Sequence, residues 1–384
     1  MANGRASTMR ITIVIGPFLP MPPDATGAIE KVWHALAGAF AARGHAVTVV
    51  TPRGETTPGD DVREGVSYRR LPRFARTGST GRDLVKDLVH SWRAARILPD
   101  ADVTVTNCFW LPFLLRFMPG TQKRIGAIDV HCQRFPKGQF RLYRRVERIS
   151  TVSAAIADAI RDQDPVAGAR TVVIPNPVDL ATFRPVADGR ARGKRILFTG
   201  RVHPEKGLEI LVRAYRRLRE EDPEVSLRLV GPSEIARGGG GEAFVARLRE
   251  LAGDAPLEFG GNVADPARLA DELRAADVYG YPSVAFLGEA SPVAPLEAMA
   301  CGTVPVVSDL PQFREYLQDG ETGLVFARGA AEPDRELAAA LRRVLGDAAL
   351  RKRLSAAGVA KAREFSIDAI ADRHLADFAS IVRR

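Results

Sequence analysis

Arg195-Ile196-Leu197-Phe198-Thr199-Gly200-Arg201-Val202-His203-Pro204-Glu205-Lys206-Gly207 begins as a short apolar run and ends in a glycine-bounded loop with two cations. Helical spacing follows at once over Glu209–Leu218, so the segment reads strand, loop, helix, the repeating unit of a parallel α/β sheet. The alternation continues downstream. Strands are expected at Leu227–Val230, Leu257–Phe259, Val278–Tyr281, Val304–Ser308 and Gly323–Phe326, with helices at Glu242–Leu251 and around Pro295–Ala300. Upstream it has already run once, through Ile11–Ile15, Val47–Thr51, Val103–Thr106, Ile125–Asp129, Ser150–Val152 and Thr171–Ile174. Between the first two of these, Ile29, Val32, Trp33, Leu36, Ala37 and Phe40 form one face of a helix that stops at Arg43-Gly44-His45. Phe183–Lys194, rich in Pro, Gly and Arg, reads as the linker between the two rounds.

Two Rossmann-like, doubly wound domains with a cleft between them are therefore expected, with ligands bound beyond the carboxyl ends of the strands. The boundaries read 9–190 and 191–365, followed by a terminal amphipathic helix in 366–384. The length of 384 residues suits two such cores. A hydrophobic fraction of 46% with 26% charged residues excludes disordered, collagen-like and coiled-coil chains.

The net charge of +9 is unevenly placed: residues 1–190 carry +10 and residues 191–384 carry −1. A strongly basic chain invites a nucleic-acid reading. Here the cations alternate with apolar residues and no RNA-binding signature is present, so no nucleic-acid partner is expected. The first half holds two basic clusters, Arg69–Arg96 and Arg134–Arg148, the second with Phe135, Phe140 and Tyr143 interleaved. They suit either a solvated face or an anionic acceptor or membrane surface. Cys108, Cys132 and Cys301 show no CxxC spacing, which argues against a disulfide framework or zinc site and for a reducing, cytoplasmic setting. No stretch reads as a secretory signal or membrane span, so any membrane association is expected to be peripheral, at the inner face.

The chain lacks GxxxxGK[ST], a GxGxxG after a strand, and a GxSxG elbow. Asp162-Gln163-Asp164 has the spacing of a metal-binding pair but stands at a helix end before Pro165, and is set aside as a chance pairing. Arg201 and Lys206 could neutralise a diphosphate, the first as a fork and the second as a point charge. Two solvated loop charges would read the same. Gly288-Glu289-Ala290-Ser291-Pro292-Val293-Ala294-Pro295-Leu296-Glu297 adds two carboxylates bridging a loop and a helix start. The N–H groups there favour phosphate, and flanking carboxylates would accept from sugar hydroxyls.

Taken together, Gly200-Arg201…Lys206-Gly207 and Glu289 through Glu297-Ala298-Met299-Ala300-Cys301-Gly302 resemble retaining glycosyltransferase family 4, of GT-B fold. Ser153-Ala154-Ala155-Ile156-Ala157, Ile174-Pro175-Asn176-Pro177-Val178-Asp179…Phe183 and Gly320-Glu321-Thr322-Gly323-Leu324 resemble further family segments in the same order. The resemblance implies a metal-independent hexosyltransferase that moves a sugar, with retention, from a nucleotide-sugar to an acceptor hydroxyl. UDP-sugar is the expected donor and GDP-sugar the second choice, with no other cofactor. The acceptor would be a sugar, lipid-linked or small molecule received by the first domain, where some members also bind membranes.

By the same resemblance Arg201 and Lys206 hold the diphosphate, Glu297 the ribose and Glu289 the transferred sugar. Backbone at Val263 faces the base, Gly27 belongs to a glycine-rich loop, and His131 is an active-site histidine. The final helix is expected to cross back onto the first domain. Where the family has Phe-Gly this chain has Ser291-Pro292; proline lacks an N–H, so Val293 or Ala294 must supply backbone contacts. The second glycine of the first-domain loop is Ala28. Alternatives are a GT-B sugar-nucleotide epimerase, a phosphorylase, or a non-catalytic basic protein that binds membrane or nucleic acid.

Overall fold

Strands such as Ile11–Val14 and Val304–Ser308 are buried along their whole length, the mark of parallel strands covered on both faces. The computed structural model describes residues 8–22, 27–57, 59–121, 124–186 and 193–382. They form two units, one of Met1–Asn176 with Ile367–Arg384 and one of Pro177–Ser366.

Unit 1 contains β1 (Arg10–Val14), α1 (Ala28–Ala42), β2 (Ala46–Pro52), β3 (Asp61–Arg63), β4 (Val66–Leu71), α2 (Thr80–Ile97), β5 (Ala101–Thr106) and α3 (Leu111–Phe117). It continues through β6 (Ile125–Cys132), β7 (Arg148–Thr151), α4 (Ala154–Gln163), α5 (Pro165–Gly168) and β8 (Thr171–Val173). The sheet order is β3-β4-β2-β1-β5-β6-β7-β8, parallel except for the β3–β4 pair. Chain direction across the sheet reverses at β1/β5, the topological switch point.

Unit 2 contains β9 (Arg195–Thr199), α6 (Leu208–Glu221), β10 (Ser226–Val230), α7 (Gly241–Ala252), β11 (Leu257–Gly261), α8 (Pro266–Ala275), β12 (Val278–Tyr281) and α9 (Ala294–Ala300). It continues with β13 (Val304–Ser308), β14 (Leu324–Phe326), α10 (Pro333–Gly346) and α11 (Ala348–Arg363). Its all-parallel sheet runs β11-β10-β9-β12-β13-β14, with the switch at β9/β12.

The terminal helix, α12 (Ile367–Val382), belongs to unit 1. Its apolar stripe Ile370, His374, Phe378 and Ile381 is buried, with Phe40 and Phe378 ring centroids 6.0 Å apart. Arg43 pairs with Asp368 and Asp372, and Arg148 with Asp377.

Three expectations are corrected. The first domain ends at Asn176, not at residue 190, because Val178 N donates to Phe365 O and Arg274 holds the carbonyls of Thr182 and Arg184. Residues 187–192 of the expected linker, where the 190/191 boundary falls, lie outside the described residues. The β3–β4 hairpin and the 18-residue helix α2 went unread inside what looked like a cluster of cations. Within that cluster Arg70 is buried on Met21 O and Asp61, and Arg73, though exposed, donates to Phe18 O.

Candidate active site

Unit 2 gathers its polar groups at the carboxyl ends of β9 and β12, the two strands of the switch point. Gly207 permits this: it sits at φ +67, and a Cβ there would lie 2.0 Å from Pro282 O, so only glycine lets the β9 loop reach the end of β12. Lys206, 7% exposed, then places Nζ 2.5 Å from Glu289 Oε1 and 3.1 Å from Tyr281 Oη. Tyr281 donates to Glu289 Oε1 at 3.0 Å. Burial, then the charge of Glu289, pushes the Tyr281 phenol well up, so it stays a donor. Its ring stacks on Phe198 with centroids 5.6 Å apart. A buried ammonium and a buried carboxylate are tolerable only as such a pair.

Arg201 is exposed, ion-paired to Glu205, and donates from Nη1 to Gly238 O at 3.0 Å. Glu205 also lies 4.0 Å from Lys206. The four glycines 238–241 read simply as a mobile surface loop, but the structure orders them. Their N–H groups donate to Ile235, Glu234, Val202 and Ser233 carbonyls. A Cβ at Gly239 would meet Ser233 at 2.2 Å, so the tight wrap that holds Arg201 needs glycine.

Glu297 lies in the first turn of α9, where its charge raises the Tyr279 phenol after burial has done most of the work. Val293 and Ala294 form the start of that helix, whose first N–H groups have no intrahelical partner. Pro292 contributes its carbonyl to Tyr316 Oη at 2.8 Å. Val263 stands apart. It follows β11 and lines a cavity of about 650 Å³ with Arg195, Ser226, Arg268 and Glu272, which includes none of Arg201, Lys206, Glu289 or Glu297.

In unit 1 a cavity of about 290 Å³ opens at the β1/β5 switch, lined among others by Gly16, Asn107, Glu30, Arg76, His131 and Gln133. Asn107 Oδ1 accepts from Gly16 N at 3.0 Å, tying the two strand ends together. Gly27 precedes α1 with φ +131, and a Cβ there would lie 2.5 Å from Glu30 Oε2. The Glu30 carboxylate thus folds over the start of α1, beside the glycine. Burial pushes its carboxyl up, against the opposing pull of Arg76 and Arg134. His131 is buried and pulled down to about 3 by desolvation, so it is neutral.

Sequence reading missed Tyr281, Glu205, Glu30, Asn107 and Gln133. Only Glu205, lying between the two cations, carried a visible signal. Asp164 caps α5 through Val166 N and Ala167 N and pairs with Arg144. Among the described residues no group of three or more His, Cys, Asp or Glu could hold a metal, and no helix is long and apolar enough to cross a membrane.

Comparison with known proteins identifies the family. Residues 182–361 match the model of glycosyl transferases group 1, and residues 27–177 that of a glycosyl transferase 4-like domain. Phosphatidyl-myo-inositol mannosyltransferase of Mycobacterium tuberculosis is 32% identical over 381 residues, 94% of each chain. Sucrose-phosphate synthase of Thermosynechococcus elongatus has the same fold, with TM-score 0.77 over 97% of this chain and 99% of that one at 21% identity. Anabaena HepE in complex with UDP and glucose superposes with TM-score 0.70 at 19% identity, over 97% of this chain and 100% of that one. The fold is therefore GT-B, and the epimerase, phosphorylase and non-catalytic readings fall away. The chain belongs to the glycosyl transferases group 1 family and is a glycosyltransferase that draws its sugar from a nucleotide-sugar donor.

Proposed function

We propose that the protein is a retaining, metal-independent hexosyltransferase in which unit 2 holds the nucleotide-sugar and unit 1 receives an anionic, lipid-linked acceptor. The observation that carries the donor half is the buried Lys206–Glu289 pair at the β9/β12 switch. Lys206 and Arg201 meet the diphosphate as it departs, supplying charge that a metal supplies elsewhere. Glu289 then accepts from hydroxyls of the transferred sugar, Glu297 from the ribose, and the N–H groups of Val293 and Ala294 cradle the phosphates. Val263 faces the base through its backbone. Gly27 and His131 contact substrate from unit 1. Positioning and electrostatic stabilisation, with the leaving phosphate taking the acceptor proton, leave no need for a protein nucleophile.

The mannosyltransferase relative acts, by its name, on phosphatidyl-myo-inositol, which supports a lipid-held anionic acceptor here. So does the surface of unit 1. Val85, Leu88 and Trp92 on α2, with Phe113 and Phe117 on α3, are exposed, and arginines stack on two of the rings. That combination suits peripheral contact with acidic lipid.

Melting curves with UDP-, GDP-, ADP- and TDP-sugars test the donor: one class, UDP first and GDP second, raises the transition. Anomeric analysis of the product tests retention, and unchanged turnover in chelator tests metal independence. If no nucleotide moves the melting curve, the donor assignment is wrong. Equal co-sedimentation with neutral and acidic vesicles at low salt would remove the membrane half.

A further inference from the structure

The hydrogen bonds around His131 form one directed chain. Residues 129 and 131 alternate onto the same face of β6, and the parallel register sets Ser150 of β7 directly beside His131. Ser150 donates both its N–H and its hydroxyl to Asp129, to Oδ1 at 2.9 Å and Oδ2 at 2.8 Å. The hydroxyl hydrogen being so used, Ser150 Oγ can only accept from His131 Nδ1, at 3.1 Å. A neutral imidazole then has a bare Nε2. Gln133 Nε2 donates to it at 2.9 Å, and its second hydrogen goes to Asn176 Oδ1 at 3.1 Å. From Gln133 through His131 to Ser150, each link donates toward the Asp129 carboxylate. Trp33 of α1 packs edge-on against the His131 ring, with centroids 4.9 Å apart.

We propose that Asp129 and Ser150 are positioning residues for His131, fixing its Nδ1–H tautomer so that Nε2, covered by Gln133, can only accept a hydrogen bond from a substrate hydroxyl. His131 and Gln133 both line the unit 1 cavity, so a hydroxyl that replaces Gln133 must present its hydrogen to the ring. The inference rests on the proposed role of unit 1 in binding substrate. It goes beyond that role by assigning two buried residues and a polarity to the contact. Asp129 itself is fully buried, and burial above all pushes it up to about 7, so the chain runs in this direction above that pH, where the carboxyl is ionised. Asp377 of α12 contributes to that rise, Ser150 and Arg148 oppose it, and the neutral His374 of α12 faces the same ring system.

Long-range nitrogen–proton NMR of the full chain, well above pH 7, reads the tautomer directly. The wild type shows His131 Nδ1 protonated. Asp129→Asn turns an amide nitrogen toward Ser150, which reverses the chain and moves the proton to Nε2. Ser150→Ala mixes the two tautomers and lowers kcat about 10- to 100-fold with little change in KM, as loss of an orienting partner does elsewhere. Ser150→Thr restores both. Should Asp129→Asn fail to fold, the Ser150 pair decides the matter. A wild-type tautomer that survives both Asp129→Asn and Ser150→Ala overturns the proposal, and so does an unchanged kcat in Ser150→Ala. Absence of sugar transfer by the wild type with every donor would instead overturn the functional reading, leaving the tautomer measurement intact.

Discussion

Both sheets gather polar groups at a switch point, yet they handle charge in opposite ways. In unit 2 the cations meet carboxylates: Lys206 with Glu289, Arg201 with Glu205. In unit 1, whose half of the chain carries the whole positive excess, the cavity has charged groups such as Glu30, Arg76 and Arg134 on its wall, but the hydrogen bonds that reach His131 run through neutral Gln133 and Ser150. Many of its arginines instead tie elements together, as Arg70 and Arg148 do. Net charge and site charge are thus separate properties. A diphosphate needs fixed cations that exchange one anionic partner for another, whereas a hydroxyl needs donors and acceptors of set direction.

The largest effect should come from unit 2. Lys206→Ala removes a donor to the departing diphosphate and leaves Glu289 buried without its cation. Transfer should fall about 10²–10³-fold, and the melting temperature should drop as well. If turnover is kept, unit 2 is not the charge-bearing site and the contrast breaks. Glu289→Gln is a milder change, because the amide still accepts from Tyr281. We expect transfer to fall about 10- to 100-fold, in line with losing a charged hydrogen bond, while UDP without sugar still raises the melting curve. Glu289→Ala is a poorer probe, since it strands a buried ammonium.

A third test uses His374, buried in unit 1 and pulled down to about 3 by desolvation, then by His131. Its folded pKa is below the unfolded value of 6.5, so its neutral form stabilises the protein above 6.5, and that stability is lost as pH falls toward 3. His374→Phe, compatible with the neighbouring Phe40 and Phe378, removes this loss. The variant's advantage in melting temperature should therefore widen on acidification, by roughly 5–10 °C. A gap independent of pH would show that unit 1 does not keep this histidine neutral. The smallest effect is expected for Tyr281→Phe, which deletes one hydroxyl between Lys206 and Glu289. Donor affinity should weaken by a few-fold, about 0.5–1.5 kcal/mol, and calorimetric titration with the donor measures it.

Legibility in the sequence followed the physics of each feature. The strand–loop–helix around Arg195–Gly207 was readable because apolar period and glycine punctuation are local. So was α1, with its stop at Gly44, which takes φ +86. The hairpin and α2 were not, because arginine-rich stretches such as Val66–Leu71 and Thr80–Ile97 bury only alternate or every third residue and look polar throughout. The four-glycine segment misled for the converse reason. Glycine signals freedom in a chain but close approach in a fold, and here it wraps Arg201.

By itself, then, the sequence determined the two α/β units and the uneven charge, and its motif spacing singled out Arg201, Lys206, Glu289 and Glu297 as candidates, since period, composition and motif spacing are properties of the chain. Only the tertiary structure decided that Lys206 and Glu289 share Tyr281, that Glu30 lies over the start of α1, and that Asp129 reaches His131 through Ser150. These are contacts between residues up to 83 positions apart. They depend on strand register and on glycine-permitted approach, and neither leaves a mark at a single position in the chain.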